Sequence, residues 1–300
     1  MPISCRLLKQ MPRSVISDPV LDAMEKALRA SARKVFAVNE LLLFLAAQAE
    51  ALHCTARPTV LMDRLVEAGL VTELSLKSPD YPPIRRYAVG DPSPFELAQS
   101  LRGGAYLSHA SAVSLLGLND QIPKTLYGNK EQSPKPVPTT PLSQERLDRA
   151  FRGSPRRSNY FYRHAEYHFV LLSGKNTQDF GVEAMTGPHG EPLRVTNLER
   201  TLLDIAVRPI YAGGVYQVLE AYRTAADRLS VSGLLEALKK LDYVYPYHQV
   251  LGFYLEKAGL PAEKTKPFRD LGLEWDFYLT HGLRDFEHVP SWRLYVPRGF

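Results

Sequence analysis

The first ninety residues carry apolar positions first at helical and then at alternating spacing. Leu21, Met24 and Leu28 recur as on one face of a helix. Segments 70–76 and 84–89 instead alternate apolar and polar residues, which predicts the two strands of a hairpin. The predicted elements are, in order, a helix from Asp18, a strand at 34–37, a helix capped by Asn39, a helix capped by Thr55 with Pro58 in its first turn, and the hairpin. This order is typical of a winged helix-turn-helix.

A predicted linker, Asp91-Pro-Ser-Pro94, precedes a longer region of mixed patterns. The aromatic segment 160–172 alternates like a strand or hairpin, whereas most of the chain after Thr196 has helical periodicity. Helices are expected to begin near Phe95, Ser108, Ser143, Asn197, Val215, Ser230 and Tyr247, and strands near 125–127, 182–185, 193–195, 275–279 and 292–296. The 300 residues therefore predict an α+β fold, with a winged helix-turn-helix at 1–92 and a larger mixed α/β domain at 93–300.

Positive charge is concentrated in the front part of the chain. The net charge is +5, and residues 1–180 hold 23 Lys and Arg against 17 Asp and Glu. A basic domain suits an anionic partner, so we expect double-stranded DNA as the partner of the winged helix. The candidate DNA-binding residues are Arg57, Thr59 and Arg64 on the third helix and Lys77, Arg85 and Arg86 on the hairpin. The alternative is a winged helix that makes protein contacts, with these charges facing solvent.

The sequence gives no indication of a membrane span, a cofactor or a standard catalytic motif. The longest apolar run, Leu41–Ala47, is far shorter than the ~20 residues that span a bilayer. Cys5 and Cys54 fit no disulfide or zinc spacing and no signal pattern is apparent, so we expect a cytoplasmic protein. We expect no catalytic residue, metal or cofactor, because phosphate-loop and nucleophile-elbow motifs are missing. His164 and His168 resemble a zinc-binding helix only superficially, since the alternation around them predicts a strand.

The densest charged segment is 194–209. On a helix, Arg200, Asp204 and Arg208 would lie on one face and could form an ionic ladder. Such a face can bind an anion or a partner, but we favour a structural network that ties the helix to a sheet. The candidates for anion or partner contact are Arg156, Arg157, Arg200 and Arg208. A nearby aromatic cluster can stack on bases or, as we favour, pack between helices; its members are Tyr243, Tyr245, Tyr247, His248 and Tyr254.

Four ordered segments carry a family resemblance. They are Tyr106-Leu-Ser-His-Ala-Ser-Ala112 followed by Leu116-Gly-Leu118, Val195-Thr-Asn-Leu-Glu-Arg-Thr-Leu-Leu-Asp204, Arg208-Pro-Ile-Tyr-Ala-Gly-Gly214, and Asp242-Tyr-Val-Tyr-Pro-Tyr-His248. With these segments the chain resembles the AbiEi family of antitoxins, from type IV toxin–antitoxin systems, over about residue 34 to the end. The resemblance implies an N-terminal winged helix that binds operator repeats and represses its own operon. It also implies a C-terminal domain that counters an AbiEii-type nucleotidyltransferase toxin.

The chain departs from the family pattern in its third helix. This helix offers only Arg57 and Arg64 as cations, so we expect operator affinity to depend also on the hairpin and on Arg156, Arg157 and Arg163. The resemblance assigns no individual residue to toxin contact. The cognate toxin is therefore expected as a partner, bound directly or countered functionally.

A function of another class remains open. Residues 95–300 could instead form a metal-dependent nuclease or another nucleotide-acting enzyme, guided to its substrate by the winged helix. Such an enzyme needs two or three carboxylates that converge on Mg²⁺. The candidates would be Glu199, Asp204 and Asp276, and sequence spacing alone does not show whether they converge.

Overall fold

The computed structural model describes residues 16–121, 123–134 and 141–300. Within this part of the chain, the residues form two compact units. The first unit contains 16–74 and 85–92, and the second contains 75–84 and 93–300. Residues 75–84, from the middle of the predicted hairpin, thus group with the second unit. Cys5 lies outside the described residues, and Cys54 is a free thiol.

The first unit combines three helices with a small sheet. Its elements are α1 (Asp18–Ala30), β1 (Val35–Phe36), α2 (Val38–Ala51), α3 (Pro58–Glu67), β2 (Thr72–Leu76) and β3 (Ile84–Ala88). The strand order is β1-β3-β2, and β1 runs antiparallel to β3. Leu28, Leu41 and Leu65 are fully buried in one apolar cluster formed by all three helices. Burial of this shared face holds α3 with its opposite side open to solvent.

The second unit is built around a six-stranded mixed sheet. Its elements are α4 (Pro94–Ser100), β4 (Tyr106–Leu107), α5 (Ala110–Leu115), β5 (Thr125–Glu131), α6 (Gln144–Arg152), β6 (Phe161–His164), β7 (Tyr167–Gly174), β8 (Val182–Thr186), β9 (Pro192–Thr196), α7 (Leu198–Val207), α8 (Val215–Ala225), α9 (Val231–Leu241), α10 (Tyr247–Lys257), α11 (Ala262–Arg269), β10 (Phe277–Tyr278), β11 (Phe286–Val289) and β12 (Leu294–Pro297). The sheet order is β6-β7-β5-β4-β9-β8, and a second sheet has the order β10-β12-β11.

Register places three residues in one row across the large sheet. Tyr106 on β4 pairs with Asn129 on β5, and Asn129 pairs with Leu172 on the parallel strand β7. Because side chains alternate along a strand, these three share one face of the sheet. The other face carries Gly128, where an added Cβ would lie 2.7 Å from the carbonyl oxygen of Ala98 in α4. A helix therefore packs closely on one face, while the Asn129 face is available for a site.

The predicted α+β class is confirmed, and several helix starts differ from the prediction. α2 begins after Ala37, whose amide donates to the Glu40 carboxylate at 2.9 Å, so Asn39 is not the cap. α3 begins after Arg57 rather than Thr55, because Pro58 lacks an N–H and suits the first helical position. α5 is capped by His109 instead of Ser108. Among the described residues, no helix is both long and apolar enough to cross a bilayer.

Candidate functional site

Two of the three predicted base-contacting residues lie on the exposed side of α3, and the third precedes the helix. Leu61 and Leu65 face the core, whereas Thr59 and Arg64 are exposed on the helix. Arg57 is exposed at the residue that precedes α3, not on the helix itself. Arg64 forms an ion pair with Glu67 at 3.0 Å, with both side chains open to solvent. Such exposed pairs contribute little, so the guanidinium is free to exchange this partner for another anion.

The predicted hairpin contacts divide between the two units. Arg85 belongs to the first unit, is exposed, and lies 3.6 Å from the Glu73 carboxylate. Arg86 is half-buried and donates to the carbonyl oxygen of Arg85 at 2.7 Å. Lys77 belongs to the second unit, where its backbone exchanges two hydrogen bonds, of 2.9 and 2.7 Å, with that of Arg163. The side chain of Lys77 remains exposed.

A cavity of about 680 Å³ lies within the second unit, over the Asn129 face of the large sheet. We call it the tyrosine cavity. Six tyrosines line it: Tyr81, Tyr160, Tyr211, Tyr243, Tyr245 and Tyr247. Five cations also line it: Arg156, Arg157, Lys175, Arg200 and Arg208. All four arginines predicted for anion or partner contact are therefore in one place.

A buried ion pair on α7 forms the floor of the cavity. The Nε of Arg200 donates to Oδ1 of Asp204 at 2.9 Å, and these side chains are only 3% and 6% exposed. Arg200 also donates to the carbonyl oxygen of Phe180 at 2.8 Å and to the hydroxyl of Tyr106 on β4 at 3.5 Å. Burial raises the pKa of the Asp204 carboxyl, and the neighbouring guanidinium opposes that rise. The pair thus ties α7 to the sheet, as the structural interpretation of this segment predicted.

The predicted ionic ladder stops at Asp204. α7 ends at Val207, and Arg208 has the non-helical backbone angles φ −134° and ψ 65°. The reason is Pro209, because a residue before proline avoids helical geometry. Arg208 consequently leaves the face of Arg200, and its guanidinium donates to the carbonyl oxygen of Arg156 at 3.1 Å. It therefore helps to hold the segment that carries the two other cavity arginines.

Two buried acceptors at the cavity have no hydrogen-bond partner among the described residues. They are Oδ2 of Asp204 and Oδ1 of Asn129. The Asn129 amide donates from its other end to Tyr106 Oη at 2.9 Å. It lies against Gly174, where an added Cβ would be 2.7 Å from the amide nitrogen. Buried acceptors of this kind are costly unless satisfied, so a ligand with N–H or O–H groups would complement them.

Arg156 and Arg157 lie at the solvent side of the cavity in the segment between α6 and β6. Both are exposed, and neither guanidinium has a hydrogen bond or ion pair within the described part of the chain. The hydroxyl of Tyr211 positions this segment, since it accepts the amide of Ser158 at 2.9 Å. Ser158 in turn donates its hydroxyl to the carbonyl oxygen of Leu171 on β7 at 2.6 Å. The two free cations are thus held at a defined place.

Aromatic rings form the rest of the wall. Tyr81 and Tyr160 stack with ring centroids 4.6 Å apart, and Tyr211 meets the buried ring of His109 edge-on at 5.5 Å. Burial, together with Arg200 and Arg208, lowers the pKa of His109 to about 3, so its ring is neutral near pH 7. His109 also has the unusual backbone angles φ 52° and ψ −131°. Strained residues of this kind concentrate at functional sites.

The three carboxylates proposed for an enzyme have separate partners. Glu199 accepts the amide of Ser230 at 2.9 Å, and Asp204 is paired with Arg200. Asp276 binds Arg293 and His288. Among the described residues, no group of three or more His, Cys, Asp or Glu is arranged to hold a metal. His164 and His168 lie on strands β6 and β7, as the alternation predicted.

Asn129, His109 and Tyr211 were not among the site residues predicted from the sequence. The signal for two of them was present, because His109 and Tyr211 fall inside segments that carry the AbiEi resemblance. All four of those segments contribute to the tyrosine cavity, through His109, through Arg200 and Asp204, through Arg208 and Tyr211, and through Tyr243, Tyr245 and Tyr247. Asn129 had no such signal, since its partners are distant in sequence.

Comparisons with known proteins extend the fold assignment. No protein-family model matches the chain, and no curated protein matches it either. Among solved structures, it is similar to the crystal structure of the RV2827C protein from Mycobacterium tuberculosis, with a TM-score of 0.58 and 15% identity. The match covers 92% of this chain and 91% of that one. At this identity the likeness shows a shared fold alone.

Proposed function

We propose that this protein is a DNA-binding autorepressor and AbiEi-like antitoxin, whose first unit is a winged helix-turn-helix. The observation that carries the DNA-binding part is the order of the first unit, α1-β1-α2-α3-β2-β3, with an exposed face on α3. A single helix fits the major groove of B-DNA, which is about 12 Å wide. In this proposal α3 enters the groove and the β2–β3 strands approach the flanking backbone.

The chemistry of the α3 face supports this role. Arg64 can donate to guanine or phosphate, and Thr59 can bond to base or backbone. Asp63 lies on the same exposed side and would be repelled by phosphate, unless it accepts a hydrogen bond from cytosine. Arg85 and Arg86 supply two further cations near the strands. This mixture fits base reading better than non-specific phosphate binding, which needs no acidic group.

The direct test is binding to DNA from upstream of the protein's own gene. Fluorescence anisotropy of the full chain should show saturable binding that weakens steeply with salt, because each neutralised phosphate releases counterion. The Arg57→Ala/Arg64→Ala variant should lose at least about tenfold in affinity, given ~1–3 kcal/mol for each base contact.

A matched control removes the same charge elsewhere in the first unit. Arg29 and Arg33 are exposed, lie outside α3 and each form a surface ion pair, with Glu25 and Glu40. The Arg29→Ala/Arg33→Ala variant should bind with nearly unchanged affinity. Equal weakening by the two variants would mean that overall charge, and not the α3 face, attracts DNA.

The antitoxin part of the proposal is supported by the four resembling segments. They lie far apart in the chain, yet each contributes side chains to the tyrosine cavity. The part of the second unit after residue 180 has no excess of positive charge, because residues 181–300 hold 14 Lys and Arg against 15 Asp and Glu, and so it lacks the basic character of a DNA-binding face. We therefore place the toxin-countering function in the second unit and operator binding in the first. The presence of a nucleotidyltransferase reading frame beside the gene is the expected genomic observation.

A further inference from the structure

The tyrosine cavity is polar at its floor and aromatic along its walls, and the two cations that have no partner among the described residues lie at its solvent side. We propose that it binds a nucleoside phosphate, with the phosphate at Arg156 and Arg157 and the base and sugar among the tyrosines. The inference concerns only the second unit and does not rest on DNA binding by α3.

Two of the five cations that line the cavity are available to an anion. Arg200 is neutralised by Asp204, and Lys175 donates to the carbonyl oxygens of Leu241 and Asp242 at 2.5 and 2.7 Å. Arg156 and Arg157 have no such partner among the described residues, so they are available to an anion. Guanidinium groups bind phosphate oxygens through paired, charge-assisted hydrogen bonds.

The aromatic walls indicate which chemical group is attached to the anion. An inorganic anion would use the arginines and leave the aromatic rings without a ligand. The stacked rings of Tyr81 and Tyr160 lie at the cavity, and Tyr243 and Tyr247 lie deeper with centroids 5.3 Å apart. Planar bases stack on aromatic side chains of this kind. The volume of about 680 Å³ is within the usual range for small-molecule sites and accommodates a nucleotide.

The floor carries two buried acceptors that have no hydrogen-bond partner among the described residues. Both orphan atoms, Asp204 Oδ2 and Asn129 Oδ1, are acceptors in residues that are at least nine-tenths buried. Ribose hydroxyls and the amino groups of adenine, guanine and cytosine are donors, whereas an apolar ligand would leave both acceptors unsatisfied. A nucleoside phosphate is therefore the ligand class that matches the cations, the rings and the acceptors together.

Equilibrium dialysis of the full chain with labelled nucleoside mono- and triphosphates tests the proposal. A second arm uses a short single-stranded oligonucleotide with a 5′ phosphate, since the same chemistry occurs at the end of a nucleic acid. Saturable binding in either arm is the expected result and identifies the source of the ligand. Absence of binding in both arms, or equally tight binding of inorganic phosphate, would overturn the proposal.

Two exposed substitutions locate the site without disturbing the core. Arg156→Ala/Arg157→Ala should weaken nucleotide binding at least about tenfold, as expected for charge-assisted bonds. Its control, Arg149→Ala/Arg152→Ala, removes the same charge from the exposed side of α6, outside the cavity, and should have no effect. If the two variants weaken binding equally, the cavity is not the site.

A further pair tests the aromatic wall. Tyr160→Ala removes a 40%-exposed ring at the cavity and should weaken nucleotide binding several-fold. Tyr216→Ala removes a 53%-exposed ring that stacks on Phe300 outside the cavity, and should leave binding unchanged. The oligonucleotide should still bind to the Arg57→Ala/Arg64→Ala variant. This result would show that the cavity site is distinct from the α3 face. Loss of oligonucleotide binding in that variant alone would assign the oligonucleotide to the first unit and contradict the cavity as its site.

Discussion

Gly252 lies in α10 beneath the indole of Trp292, and no larger residue fits there. A Cβ built on Gly252 would be 2.1 Å from the Trp292 ring. The indole cannot move away easily, because its N–H donates to Glu256 at 2.9 Å and the Arg269 guanidinium lies 4.0 Å from the ring centre. We expect Gly252→Ala to destabilise the protein by about 1–3 kcal/mol or more through overpacking, although alanine is the better helix former. Urea unfolding measures the change.

The control for this substitution is Gly103→Ala. An added Cβ at Gly103 meets no atom within 4 Å, and the backbone there needs no positive φ. The stability of Gly103→Ala should therefore stay within about 0.5 kcal/mol of the parent protein. A stable Gly252→Ala variant would show that Trp292 repacks, and would contradict the geometry described for α10.

The buried ring of His109 should make the stability of the fold depend on pH. Its folded-state pKa is lowered to about 3 by burial and by the charges of Arg200 and Arg208, whereas an unfolded histidine titrates near 6.5. The unfolded state therefore takes up the proton first as the pH falls. The stability associated with neutral His109 is present above about pH 6.5 and is lost progressively toward pH 3.

Comparison with His109→Gln isolates this contribution. Glutamine does not titrate, so the stability of the variant should fall less than that of the parent between pH 7 and pH 4.5, by up to about 1.4 kcal/mol per pH unit. Denaturant unfolding at the two pH values measures both proteins. Parallel pH profiles would mean that the His109 ring gains a proton in the folded state.

At the scale of the element, α7 contains a buried ion pair, Arg200 and Asp204, and each charge is tolerated in the core only when the other is present. Replacing Asp204 with leucine leaves the Arg200 guanidinium buried without its carboxylate, and this should destabilise the protein by about 3–5 kcal/mol. The double variant Arg200→Met/Asp204→Leu removes both charges and should be less destabilised than the sum of the single variants. A double-mutant cycle measures that difference, and additive effects would show that the pair is not coupled.

Helices with side-chain caps were predictable from sequence. Helices were predicted to begin near Ser143, Asn197 and Ser230, and the side chain of each of these residues accepts a backbone N–H from the residue three positions later. α11 was not predicted, because it is mostly polar and contains Pro267. The short strand β4 was also missed, since two residues carry no periodicity. Local sequence patterns thus predict a helix where a capping residue precedes an apolar face. They do not predict elements whose formation depends on tertiary contacts.

At the scale of the whole molecule, sequence reasoning identified the components of the site but not their arrangement. Arg156, Arg157, Arg200 and Arg208 were selected as possible anion contacts from charge alone, and the structure brings all four to the tyrosine cavity. The tyrosines after Asp242 were assigned to helix packing, yet three of them also line the cavity. Asn129 could not be found, because its place depends on the pairing of β5 with β4 and β7. Long-range strand register is not encoded in any local pattern.

Variants that lose either repression or toxin protection, but not both, test the proposed division of functions between the two units. The Arg57→Ala/Arg64→Ala variant should release repression of a reporter driven by the protein's own promoter, yet still protect cells from the cognate toxin. The Arg156→Ala/Arg157→Ala variant should lose protection and keep repression, because both arginines line the cavity of the second unit. Weakened repression in this variant would instead support the expectation from sequence that these two arginines add to operator affinity. The control variants Arg29→Ala/Arg33→Ala and Arg149→Ala/Arg152→Ala remove equal charge and should retain both functions. Loss of both functions in either test variant, with the protein folded and present at normal level, would contradict the assignment of DNA binding to the first unit and toxin protection to the second.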